Sequence, residues 1–258
     1  MTLLESLVKN LLAIYYHIFA RVDYTDDKKR QPRPIAPSSE DKAATGSSLS
    51  MNAEMDMLSL DEHRIASVLK RERYYRDIRN WQNLRNCYHP SPSKTRIEVG
   101  AFKGNIDGFL NLSMMTSPSD LAILHPINTV HVEIRGKRAV AVSIDTTLNR
   151  FEHKGRWYDL TSWTRSVSRL SNEEAGWRLC YWETIYNRDM LVPVDGSDAL
   201  PDWGDLSSLR RPYCYLAWFI SQKGVKMSQG LPGDDDPQSV SEVFKRSQAW
   251  LEEEVEVS

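Results

Sequence analysis

The stretch Trp157-Tyr158-Asp159-Leu160-Thr161-Ser162-Trp163-Thr164-Arg165 decides the fold. Its side chains alternate with a period of two, which an extended strand sorts onto two faces. Trp157, Asp159, Thr161, Trp163 and Arg165 share one face; Tyr158, Leu160, Ser162 and Thr164 share the other. The first set has the make-up of a mixed aromatic and polar cavity wall. Working outward, the segment belongs to a strand over Gly155–Leu170. Its neighbours are Thr129–Ile134 continuing through Arg138–Arg150, and Gly176–Tyr186. Gly136 and the segment Glu152–Gly155 supply the turns of two hairpins. On the last strand Trp177, Leu179, Tyr181, Glu183 and Ile185 face one way, and Arg178, Cys180, Trp182, Thr184 and Tyr186 the other. Alternation alone leaves open which face is concave.

Upstream of the meander the period changes to that of a helix. Ser59-Leu60-Asp61-Glu62 offers helix-start chemistry, a capping oxygen followed by acids near the positive end of the dipole. Ile65, Val68, Leu69 and Ile78 follow at helical spacing. A short helix is expected over Trp81–Cys87, with Trp81 and Leu84 inward and His89-Pro90-Ser91-Pro92 ending it. Thr95–Val99 reads as a short strand and Asn105–Met115 as a helix burying Ile106, Phe109 and Leu110. Helices followed by an antiparallel meander define an α+β domain, with helices covering one face of a curved sheet.

The ends differ in character. Residues 1–22 are apolar but broken by Glu5, Lys9 and Arg21, and the uncharged run Asn10–Ala20 is shorter than the about 20 residues a membrane helix needs. This segment is read as an amphipathic helix rather than a signal peptide, and membrane association is the less favoured reading. Residues 23–58, with Pro32, Pro34, Pro37 and the tract Ala43–Ser50, have the composition of a flexible linker. The core domain is expected over 59–190 and a covering extension over 191–258. In that extension Tyr213, Tyr215, Leu216, Trp218, Phe219 and Ile220 form an apolar patch that must be buried. Asp234-Asp235-Asp236-Pro237 opens a last helix with Val240, Val243, Phe244, Trp250 and Leu251 as its stripe.

Of 258 residues, 33 are Lys or Arg and 35 Asp or Glu, a balance that argues against general nucleic-acid binding. Cys87, Cys180 and Cys214 make no paired framework and no CxxC, so they are expected reduced and mostly buried. Eight Trp and eleven Tyr are a surplus that suits a core lining a ligand cavity. No phosphate-cradling glycine loop, nucleophile elbow or His/Glu metal motif occurs, so the expectation is chemistry by side chains alone, with no cofactor and no metal.

Asp77, at a helix end among tyrosines, is a candidate general base, or alternatively a surface acid paired with Arg73 or Arg79. His125 and His131 stand six residues apart, on one sheet face if the segment is extended. With no tightly spaced carboxylate beside them they are a weak metal signal.

The order of these features resembles the SnoaL-like group of the nuclear transport factor 2-like superfamily, which includes scytalone dehydratase and polyketide cyclases. The resemblance rests on Ile65, Val68-Leu69, Asp77, Asn80-Trp81 and Leu84, then Tyr88-His89-Pro90. His125, Val132-Glu133-Ile134, Gly136 and Trp177-Arg178-Leu179 follow in the same order. It covers roughly 60–190 and implies a cone-shaped α+β barrel, a curved mixed sheet on N-terminal helices around a deep pocket. It also implies that Asp77 and His125 face that pocket. The chain departs from the dehydratase at Arg76 and Val99, where the dehydratase has tyrosines, and no second histidine stands in Gly155–Trp163.

The resulting expectation is a cofactor-independent cyclase, dehydratase or isomerase acting on a polyketide or terpenoid-type intermediate of secondary metabolism. Asp77 would be base or water orienter, His125 its partner or general acid, and Asp159 a second polar group. Tyr74, Trp81, His131, Trp157, Trp163, Arg165 and Tyr181 are the substrate-binding candidates, and the patch Tyr213–Ile220 with the terminal helix would close the mouth. The expected partners are a largely apolar small molecule and a second copy paired through the sheet, in the cytoplasm. The competing classes are a non-catalytic binding or dimerising module and the small subunit of an oxygenase.

Overall fold

A computed structural model describes residues 41–116, 122–198, 201–202, 204 and 206–253. The chain divides into two units, Met1–Met51 and Asn52–Ser258. The apolar segment 1–22 and residues 23–40 of the expected linker lie outside the described residues. The linker's remainder is helical instead, because α1 runs over Asp41–Asp77. Ala43, Ala44, Met51, Ala53, Glu54, Met55 and Met57 favour helix strongly enough to carry the chain past Gly46. Ser59 is therefore an interior residue of α1 and not its cap.

The second unit is an α+β domain. Helix α2 (Trp81–Asn86) is capped by Asn80, whose side chain accepts from the Asn83 amide. Strands β1 (Arg96–Val99) and β2 (Phe102–Gly104) form a small hairpin, followed by α3 (Ile106–Thr116). Strands β3 (Ala122–Leu124), β4 (Ile127–Arg135), β5 (Arg138–His153), β6 (Arg156–Glu173) and β7 (Gly176–Pro193) build the meander. Helices α4 (Cys214–Ser221) and α5 (Pro237–Glu252) close the chain. The seven strands form one mixed sheet in the order β2-β1-β7-β6-β5-β3, with β4 also on β5. Among the described strands only β1 and β7 pair in parallel, with Arg96 opposite Tyr181 and Glu98 opposite Glu183. The sheet is curved but remains open, so the expected barrel is not closed.

Alternation along β6 assigns the faces. Tyr158, Leu160, Ser162, Thr164 and Ser166 are buried, whereas Trp157 is 48% exposed and Asp159, Thr161, Trp163 and Arg165 are half-buried. The expected cavity wall is thus the outer face, and the small residues opposite it turn inward. Against the inner face pack α1, α2 and α3, through Ile65, Val68, Leu69, Leu84, Ile106 and Phe109. Further along it, α4 lays Trp218 and Phe219 on Phe151, Tyr158, Leu160 and Leu191. Helix α5 packs its Val243 and Leu251 against Val140, Val167 and Ile185. Those strand residues are one step out of phase with the inner row, so α5 covers the other face and helices lie on both sides. Cys87 and Cys180 are buried, Cys214 is half-buried, and all three are free. Among the described residues no helix is long and apolar enough to cross a membrane.

Candidate active site

Helix α1 ends in a way that delivers two charged side chains to one spot. The Asn80 amide donates to the Tyr75 carbonyl at 2.8 Å and the Arg79 amide to the Arg76 carbonyl at 3.1 Å, the paired closure of a Schellman end. That closure needs a left-handed residue, and Arg79 fills the place at φ 58° where glycine is usual. Asp77 is consequently the last helical residue, at the negative end of the helix dipole, a poor place for a carboxylate unless something holds it there.

His125 holds it. Its backbone amide donates to Asp77 Oδ2 at 3.0 Å and its Nδ1 lies 2.5 Å from Asp77 Oδ1. The two side chains retain only 17% and 19% exposure. An ionised carboxylate can only accept, so Nδ1 carries the proton towards Asp77 and Nε2 keeps a lone pair. Burial, reinforced by the Arg76 guanidinium, pushes the His125 pKa down to about 4 against the pull of Asp77. His125 is therefore neutral at pH 7, with a basic nitrogen on a side chain that lines a cavity.

The cavity measures about 340 Å³. Its walls are the end of α1 (Arg76, Asp77, Arg79), the β1–β2 turn (Val99 to Phe102), α3 (Phe109, Leu112, Ser113), Ile123 with His125, and Ile220, Lys223 and Val225 at the end of α4. Gly100 in that turn is left-handed at φ 58°, and its amide donates to Tyr186 Oη on β7 at 2.6 Å, which fixes the turn against the sheet.

Beneath the Asp–His pair lies a buried polar layer. Glu72 takes hydrogen bonds from Arg73 and, at 3.1 Å, from Tyr88 Oη. Arg73 also reaches Asp145 at 3.3 Å and Ser166 at 3.2 Å, and stacks 3.9 Å over the Trp182 ring. Trp182 Nε1 donates to Ser166 Oγ at 2.9 Å. Burial opposes ionisation of Glu72, but the guanidiniums of Arg73 and Arg76 outweigh it and hold that carboxyl below its usual range. For Asp145 burial wins and raises the carboxyl despite Arg73. Buried charges this closely paired are costly to break, so the layer fixes the last turns of α1 against β5, β6 and β7.

Of the residues singled out from the sequence, the structure brings Asp77 and His125 together and places the others elsewhere. Asp159 is bound on the outer face by Arg150, at 2.8 and 2.7 Å, because register sets those two opposite each other on β6 and β5. Trp157 borders a separate surface hollow with Arg150, Arg156 and Val194. Arg188 stacks 4.6 Å over Trp163, and Arg165 pairs with Asp234 at 2.5 Å. Tyr181 meets Trp250 of α5, and His131 lies beside α5 as well. Trp81 packs on the core and Tyr74 is exposed. Of the apolar patch Tyr213–Ile220 only Ile220 lines the cavity, and the terminal helix does not line it. Sequence reasoning missed Phe109, Ser113, Ile123 and Lys223 as lining, and it read Arg76 and Val99 only as missing tyrosines. Among the described residues no three His, Cys, Asp or Glu side chains are grouped to hold a metal.

The site is thus a polar pair in a cavity between an open mixed sheet and the helices that back it. Residues 58–183 match the family model of the SnoaL-like domain. The chain is 23% identical over 215 residues to pea pathogenicity protein 2 of Fusarium vanettenii, covering 78% of this chain and 91% of that one. Among solved structures it is similar to the hexachlorocyclohexane dehydrochlorinase LinA-type3 of Novosphingobium barchaimii, with 14% identity and a TM-score of 0.44, over 57% of this chain and 99% of that one. It is also similar to an NTF2-like protein with a cystatin-like fold from Novosphingobium aromaticivorans, with 18% identity and a TM-score of 0.40, over 57% and 90%.

Proposed function

We propose that the chain is a cofactor-independent acid/base enzyme of the lyase or isomerase type, acting on a polyketide or terpenoid-type intermediate of secondary metabolism. The observation that carries this reading is the His125 imidazole, oriented by Asp77 at 2.5 Å on the wall of a largely apolar cavity. In a dehydration, Nε2 takes a proton from the carbon beside a carbonyl, and the C–H pair moves to the carbonyl oxygen to form an enolate. The enolate collapses, the β-hydroxyl leaves, and the imidazolium returns its proton to that oxygen, so water is released and the site is restored. Asp77 orients the ring and stabilises the imidazolium that forms in between, as an acid partner does for any histidine base. Cyclisation and isomerisation use the same proton removal with a different fate for the enolate. Phe102, Phe109, Leu112 and Ile123 exclude water around it.

The test is complementation of a strain deleted for the gene. The deletion is expected to accumulate an uncyclised or hydrated precursor. Wild type restores the product, while Asp77→Asn and His125→Ala, each folded, restore less than about 1% of it, as expected when a general base is lost. Restoration by both variants would overturn the reading.

A further inference from the structure

Arg76 is a cation buried without a full set of acceptors. It sits in the last turn of α1, next to Asp77, and lines the cavity with its side chain only 11% exposed. Its Nε and Nη2 are both buried and neither finds a hydrogen-bond acceptor in the protein. The nearest carboxylate oxygen, Glu72 Oε2, is 3.7 Å from Nη2 and is already taken by Arg73. Aromatic faces supply the rest of its surroundings, with Trp182 at 5.0 Å and Phe109 at 5.8 Å from the guanidinium carbon. A guanidinium has five donors in a fork matched to a pair of oxygens, and burying two of its nitrogens without an acceptor is expensive.

The rest of the cavity points the same way. Among the described residues the lining carries the cations Arg76 and Lys223, and its carboxylate, Asp77, is committed to His125. Lys223 reaches over the Phe219 ring at 4.5 Å from the far wall. A small, mainly apolar space with cations on its wall suits an anion with an apolar body.

We propose that Arg76 binds an ionised oxygen carried by the substrate, so that this site takes an organic acid, a carboxylate or an acidic phenol on a ring-sized apolar frame. The substrate class rests on the acid/base reading given above; the anion site does not. Binding would also act on the base. The positive charge of Arg76 helps to hold His125 in its neutral, weakly basic form, and an anion on Arg76 offsets that charge, making Nε2 a stronger base only when substrate is present.

The experiment is calorimetric titration of the full chain with isosteric probe pairs, benzoate against benzamide and 4-nitrophenolate against 4-nitroanisole. One charge-assisted contact should make an anion bind roughly 10- to 100-fold more tightly than its neutral partner. Whichever pair shows the larger difference tells carboxylate from phenolate. Arg76→Gln should abolish the preference and Arg76→Lys should keep part of it, with melting curves to show that both are folded. Equal affinity for charged and neutral probes in the wild type, including no measurable binding of either, overturns the proposal whatever the variants do, as does a preference that survives Arg76→Gln. Selective anion binding through Arg76 together with full complementation by Asp77→Asn and His125→Ala would leave this site standing and remove the enzyme reading. The reverse pattern would do the opposite.

Discussion

Between pH 6.5 and about 4, a histidine in the unfolded chain gains a proton that His125 in the fold does not. The unfolded state then binds more protons than the folded one, so acid favours unfolding through this window. The contribution is fully present above pH 6.5 and lost as pH falls towards 4. The charges facing the ring are Asp77, Arg76, Arg73 and Glu72. His125→Asn removes the titrating group and should flatten this part of the curve: its melting temperature should fall less between pH 6.5 and 4 than that of wild type. Parallel curves would mean that His125 is charged in the fold, and would remove the neutral base. Asp77 and His125 were legible in the sequence because each stands in a recognisable order of short motifs. Arg76 was legible only as a departure, since a sequence displays a charge but not whether its nitrogens find acceptors. Asp159 misled because alternation gives two faces without saying which is inside, and its partner Arg150 is supplied by register across a hairpin.

Strand positions were read well because turns announce them. The β4–β5 and β5–β6 hairpins turn where Gly136 and Gly155 stand, both left-handed. The short β2 and β3 went unread, since three residues are too few to show a period. The β5–β6 turn also carries a local cost. Lys154 and Gly155 connect the paired residues His153 and Arg156, with φ at 51° and 79°, the two left-handed residues of a type I′ turn. Glycine takes that conformation freely, whereas lysine pays for the contact of its Cβ. Lys154→Asn creates the Asn-Gly pair such turns favour and should raise stability by about 0.5–1 kcal/mol. Chemical denaturation measures it, and because the turn lies outside the cavity lining, benzoate affinity should stay unchanged. A loss of stability would show that Lys154 is held by something other than backbone geometry.

At the scale of the molecule, the match to the SnoaL-like domain model ends at 183, yet the cavity wall is completed by Ile220, Lys223 and Val225. The C-terminal extension thus divides its labour between the two faces of the sheet. Helix α4 packs on the inner face and its end walls the site, while α5 packs on the outer face, where Val243 is fully buried against Val140, Val167 and Ile185. One strand pattern could not reveal this, because an apolar stripe in a helix shows that it packs without showing on which face. The division can be tested by paired truncations. Val243→Ala removes buried methyl groups and should cost about 2 kcal/mol of unfolding free energy, while leaving benzoate affinity within error of wild type. Ile220→Ala, on a half-buried residue, should cost less stability but change benzoate affinity several-fold, because it enlarges the space in which Arg76 and His125 act. Denaturant unfolding and calorimetry on the two variants decide it. If Val243→Ala disturbs binding in the folded protein as much as Ile220→Ala, the faces are coupled and α5 belongs to the site after all.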